Sequence, residues 1–96
     1  MKLRYTTEAL QELDATLDFI AGQSPRGARQ VQRRIKAKTS LLRKHPLAGP
    51  MTAIMGVRQI FASPYPYALY YRVTATDIVI VAVRHTASDI GSSPVR

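Results

Sequence analysis

Between Asp18 and Asp77 the chain has no acidic residue, although ten arginines and lysines fall in that interval. A one-sign field of that extent repels itself and disfavours the compact state, so its use lies in attracting phosphates or an acidic protein segment. Cysteine is also absent, which excludes a disulfide framework and thiolate metal sites and is compatible with a reducing compartment. The longest strictly apolar run, Ile78 to Val83, falls far short of the roughly 20 residues that span a bilayer. Met1-Lys2-Leu3-Arg4-Tyr5 lacks the apolar core and cleavage site of a secretory signal. No phosphate-cradling glycine motif, metal-ligand spacing or nucleophile elbow is present, which sets aside classical nucleotide hydrolysis and zinc chemistry. The expectation is a soluble cytoplasmic protein without metal, cofactor or membrane contact.

The 96 residues, with a net charge of +8 and 46% hydrophobic content, suit one small folded domain rather than a disordered basic tail. We expect that domain over 1–90 and a flexible tail over 91–96, within a Gly, Ser and Pro stretch from Ser88 that lacks periodicity. Leu3 to Tyr5 reads as a short strand, and Thr6 or Thr7 can cap the helix that follows. That helix places Leu10, Leu13, Leu17 and Ile20 on one face and ends near Gly22. Ser24-Pro25 starts a second helix, with a buried stripe of Ala28, Val31, Ile35 and Leu42 and a stop at His45-Pro46. The two helices form an antiparallel hairpin. After a surface loop from Leu47 to Gly56, three strands are expected at Val57 to Ala62, Tyr67 to Thr74 and Asp77 to His85. The fold class is therefore α+β: a short N-terminal strand, an antiparallel helical hairpin and a three-stranded antiparallel meander. On the last strand Ile78, Ile80 and Ala82 fall on one face and Val79, Val81 and Val83 on the other, so neither face suits water. The hairpin covers one; the other is a groove or a surface awaiting a partner.

Arg26, Arg29, Arg33, Lys36, Arg43 and Lys44 lie around the outward side of the second helix, a basic ridge that is either a partner contact or a solvated face. Arg58, Arg72 and Arg84 fall on predicted strands, with His85 closing the last. Neighbouring strands can bring such guanidinium groups together for phosphate or carboxylate contacts, or each can lie at a strand end in solvent. His85 alone supplies neither a metal set nor an acid–base pair. Tyr65, Tyr67, Tyr70 and Tyr71 cluster; alternation assigns Tyr67 and Tyr71 to the core face with Leu69 and Val73. Phe19 falls opposite the buried face of its helix, a candidate exposed anchor.

The pattern resembles the ParE/RelE superfamily of type II toxins. It is carried by Leu3-Arg4-Tyr5-Thr6 with Ala9, by Leu13-Asp14 through Asp18-Phe19-Ile20-Ala21, by His45-Pro46-Leu47-Ala48-Gly49, by Gly56-Val57-Arg58, by Pro66-Tyr67 through Arg72-Val73, and by Ile80 through Arg84-His85. The resemblance implies the RelE/ParE-like fold and one of two activities. RelE-like members cut messenger RNA on the ribosome with arginines, lysines and commonly a terminal tyrosine. Here Ala68 stands where an RNase-like member usually has arginine, and Ile90 falls about where that tyrosine would be. Only Arg58, Arg84 and His85 remain as charge-bearing equivalents. ParE-like members bind DNA gyrase and trap cleaved DNA without covalent chemistry, and this branch is preferred. It implies a ParD-like acidic antitoxin in a hetero-oligomer. From their charge and placement we expect the toxic surface at Arg58, Arg72, Arg84 and His85 with the adjoining tail, and the antitoxin at the basic residues Arg26, Arg29, Arg33 and Lys36 and at the exposed Phe19. The alternatives are a RelE-like endoribonuclease, with Arg58 and Arg84 holding phosphate and His85 as acid or base, and a non-toxic basic RNA-binding module.

Overall fold

A computed structural model of the protein describes residues 1–88. Strand β1 (Lys2–Tyr5) leads through Thr6 into helix α1 (Thr7–Gln23). Of the two candidate caps it is Thr6 that acts, its Oγ1 accepting from the Ala9 N–H at 3.0 Å. One residue, Ser24, separates α1 from helix α2 (Pro25–Lys44) and serves both ends: its N–H donates to the Ile20 carbonyl and its hydroxyl accepts from Gly27. Pro25 occupies the first turn, where no N–H is needed. Strands β2 (Arg58–Phe61), β3 (Tyr67–Val73) and β4 (Asp77–His85) follow, and a 3₁₀ turn covers Thr86–Ser88.

The strands form one four-stranded sheet in the order β1-β4-β3-β2. β2, β3 and β4 make the expected antiparallel meander, and β1 joins it alongside β4 in parallel, so the sheet is mixed. This explains the continuous apolar run in β4: a strand paired on both edges and packed on both faces has no side for water. The helices cover one face. Ala9, Val31, Ile35 and Leu42 from the helices meet Leu69, Tyr71, Ile78, Ile80 and Val83 from the sheet in the main core. Tyr71 and Leu69 are fully buried there, and Tyr67 and Val73 partly, as alternation required. Along α1 the fully buried position is Ala9, while Leu10 is exposed.

Two expectations about the sheet faces need correction. In β4 the register slips beside Tyr70 and Tyr71, which pair with Ala82 and Ile80 and leave Val81 as an extra residue. Such a bulge reverses the alternation beyond it. Val83 therefore joins Ile78 and Ile80 toward the helices, and Ala82 turns to the far face. That far face is not an open apolar groove: Val57, Ala68, Tyr70 and Ala82 form a second buried cluster. Val57 comes from the end of the 45–57 connection, which folds beside β2 through hydrogen bonds from the Gln59 N–H to Pro50 and from the Thr52 N–H to Val57. The expected tail 91–96, and Ile90, lie outside the described residues.

Candidate functional site

The bulge also decides where the last two residues of β4 point. Strict alternation would send Arg84 toward the helices; with Val81 inserted, Arg84 pairs with Ala68 of the far-face cluster and His85 pairs with Tyr67 on the helix side. β1 is only four residues long and leaves β4 beyond Ile80 without a strand on that edge. Glu12 of α1 fills the gap. One carboxylate oxygen accepts from the Val83 N–H at 2.9 Å and the other from Arg84 Nε at 2.8 Å. Glu12 thus satisfies an edge amide and fixes an arginine in one position, a role that nothing in the sequence distinguishes from those of Glu8, Asp14 and Asp18 on the same helix.

Beside this latch the His85 ring meets Tyr67 edge-on, with centroids 5.4 Å apart, and its Nδ1 accepts from the Ala87 N–H. Ala15, Thr16 and Phe19 of α1 complete a hollow of about 310 Å³ against these two rings. Phe19 is 68% exposed. At the carboxyl-terminal end of β4, His85 thus lies on the helix side beside the exposed Phe19, while Arg84 lies on the far face and is held by Glu12 across the strand edge.

Arg58 and Arg72 belong elsewhere. Arg58 pairs with Tyr71 and Arg72 with Val79. From Ala68, which faces Arg84, Arg58 is offset by three residues along β3 and Arg72 by four, about 10 Å and about 13 Å for an extended strand. Arg58 is half-buried and donates from Nη1 to the Gly49 carbonyl at 2.8 Å. The Gly49 N–H donates to the Tyr71 hydroxyl at 2.9 Å, and that hydroxyl donates to the Pro46 carbonyl at 2.8 Å. Burial raises the Tyr71 pKa, partly offset by the Gly49 hydrogen bond and the Arg58 charge, so the phenol keeps the proton it donates. A Cβ on Gly49 would come 2.8 Å from that hydroxyl, so no larger residue fits without moving the knot. Arg72 is exposed and reaches the Met55 carbonyl at 3.3 Å.

On α2, Arg26, Arg29, Arg33 and Lys36 are all exposed. Both ion pairs found among the described residues lie away from this helix, Arg4 with Asp77 and Arg84 with Glu12. Gln30, Arg33, Arg34, Ala37 and Tyr65 line a hollow of about 310 Å³ on the outer side, and Met1, Ser40, Arg43 and Lys44 line another of about 400 Å³. Leu47, Met51 and Met55, in the connection expected as a surface loop, are further exposed apolar side chains. Among the described residues no helix is long and apolar enough to cross a membrane, and no three His, Cys, Asp or Glu side chains stand close enough together to hold a metal ion.

A helical hairpin on one face of a small mixed sheet, basic along its outer helix and carrying a fixed arginine and an imidazole at a strand end, defines the α+β architecture of the RelE/ParE toxins. Comparison with known proteins agrees. A family model described as the ParE toxin of the type II toxin–antitoxin system parDE matches residues 3–90, and the chain belongs to that family. Toxin RelE2 of Caulobacter vibrioides is 32% identical over 83 residues, covering 86% of this chain and 92% of its own. Y4kP of Sinorhizobium fredii is 30% identical over 84 residues, covering 88% of this chain and 86% of that one. A solved structure of the chromosomal ParDE system from P. aeruginosa superposes with a TM-score of 0.77 at 25% identity, covering 88% and 95% of the two chains.

Proposed function

We propose that this toxin acts in the ParE manner, by binding DNA gyrase and favouring trapped, cleaved DNA, and that an acidic antitoxin neutralises it. The observation that carries this reading is the dispersal and internal use of its cations. RNA cleavage needs a base for the 2′-hydroxyl, an acid for the leaving oxygen and cations around one phosphate. Here Arg58 is held by the Gly49 carbonyl and Arg84 by Glu12, two strands apart and offset by three residues, about 10 Å across the sheet and about 10 Å along it. Ala68, directly across from Arg84, is buried and brings no cation beside it. What remains at the end of β4 is an exposed surface suited to contact rather than to phosphate chemistry.

On this reading Arg84 and His85 contact the target, Arg72 extends the far sheet face that carries Arg84, and Arg58 contributes by holding the 46–49 turn. Phe19 shares its hollow with His85, so an antitoxin segment that buries Phe19 also covers the toxic surface. Removing the apolar area of that ring from water is worth about 25 cal/mol per Å², and the α2 ridge with Arg26, Arg29, Arg33 and Lys36 draws the acidic segment in. The relative named RelE2 keeps ribosome-dependent cleavage as the competing outcome.

The test is a supercoiling assay with purified toxin, scored for loss of supercoiling and for accumulated DNA breaks, beside a ribosome-programmed transcript cleavage assay. Gyrase inhibition with trapped breaks, weakened by Arg84→Ala and by His85→Ala, is expected. Transcript cuts that disappear in His85→Ala, with gyrase unaffected, would replace this reading by the RelE-like one.

A further inference from the structure

The outer face of α2 is more ordered than a scatter of surface charge. At about 100° per residue, Arg26, Arg33 and Lys44 stand directly opposite the buried line Val31, Ile35 and Leu42, with Arg29 and Lys36 along one flank. The cations thus form one stripe from Arg26 to Lys44, about 27 Å long at the helical rise. Between them lie Gln30, Ala37 and Ser40: two hydrogen-bonding side chains and a methyl, none bulky enough to hold a ligand away. Two hollows beside α2 are lined in part by stripe residues, one at Arg33 and the other at Lys44. Among the described residues no carboxylate lies within ion-pair distance of these cations.

We propose that this stripe binds the phosphate backbone of double-stranded DNA without reading its sequence. The ligand is chosen by what the stripe has and what it lacks. A peptide held on a helix face needs a row of apolar anchors, and the stripe is bordered by one, Leu41, 38% exposed at its edge. A single strand is held largely by stacking on aromatic rings, and among the described residues the two hollows beside the stripe include one ring, the half-buried Tyr65. A duplex backbone asks only for cations and hydrogen-bond donors along a straight path, and 27 Å approaches the roughly 34 Å of one B-DNA turn. This inference does not depend on whether the toxin's target is gyrase or the ribosome, because α2 lies apart from the Arg84–His85 end.

The test is fluorescence anisotropy with the purified toxin and a labelled 20-base-pair duplex of arbitrary sequence, from about 50 to 200 mM salt. The affinity should fall with a log–log slope of about −4, as expected for four or five neutralised phosphates. Arg26→Gln with Arg33→Gln should reduce the slope by about 2. Lys2→Gln with Arg72→Gln removes the same charge from the sheet face turned away from the helices and should leave the slope unchanged, with circular dichroism confirming that both variants fold. Equal slopes for the two pairs would overturn the proposal by reducing the stripe to bulk charge. Tighter binding of the matching single strand or RNA duplex than of the DNA duplex would overturn the choice of ligand.

Discussion

Tyr71 does the work of several residues. Its ring is fully buried in the main core while its hydroxyl holds Pro46 and Gly49, and Gly49 in turn accepts from Arg58. Tyr71→Phe keeps the ring and leaves the Gly49 amide without an acceptor, and should cost about 1 to 3 kcal/mol. Urea denaturation measures this, and a loss near zero would mean that water replaces the phenol. Gly49→Ala should cost more, since its Cβ would crowd both the hydroxyl and the Gln59 backbone. Asp77 supplies the acid-dependent counterpart. Its pKa is lowered, first by the Thr76 hydroxyl and then by Arg4. A carboxyl that is more acidic in the folded state than in the unfolded chain stabilises the fold above its unfolded pKa, near 3.9, and loses that contribution as the pH falls through the folded value. Stability measured from about pH 5 down to pH 2 should therefore fall less steeply in Asp77→Asn than in the parent protein.

The elements owe their order to local signals and their exceptions to contacts between distant segments. Caps at Thr6 and Ser24, Pro25 in the first turn and the four-residue stripe of α2 made the hairpin legible, because each acts within a few residues of itself. The parallel pairing of β1 with β4 was not legible, since nothing near Leu3 names a partner more than seventy residues away. The bulge at Val81 was hidden for a related reason: six consecutive apolar residues fit either phase, and only the pairing with β3 selects one. Two of the motifs that carried the family resemblance, His45 through Gly49 and Gly56-Val57-Arg58, contribute to one structural knot around Tyr71. Gly56 itself needs its freedom, with φ at 76°. The site end was half legible: His85 and Phe19 were picked out separately, but their shared hollow and the Glu12 latch arise only in the fold. Glu12 offers the test at this scale. Glu12→Ala exposes the β4 edge and frees Arg84, and should cost about 1 to 2 kcal/mol. Glu12→Gln keeps an acceptor for the Val83 N–H and should cost less than half as much. Equal losses in thermal or urea melts would show that the charge on Arg84, rather than the edge hydrogen bond, sets the value of the latch.

Across the whole molecule, charge is divided between two surfaces. The four acids of α1 include one that fixes Arg84 at the strand end, while α2 presents an outward stripe with no acid against it among the described residues. With a net charge of +8, the free toxin repels itself and attracts polyanions over a distance set by salt, about 10 Å at 0.1 M. In the proposed complex this makes the ridge a steering surface, and burial of Phe19 the source of residence time. Charge affects mainly the encounter, whereas desolvated contacts affect mainly release. Reversal at Arg33→Glu with Lys36→Glu should then lower the association rate of the antitoxin by roughly tenfold at low salt, with a much smaller change in dissociation. The difference should shrink toward physiological salt. Phe19→Ala should do the opposite, leaving association nearly unchanged and accelerating release. Stopped-flow mixing over a range of salt concentrations separates the two effects. An unchanged association rate for the charge-reversed toxin at low salt would remove the ridge from the antitoxin's approach and leave it to the nucleic acid alone.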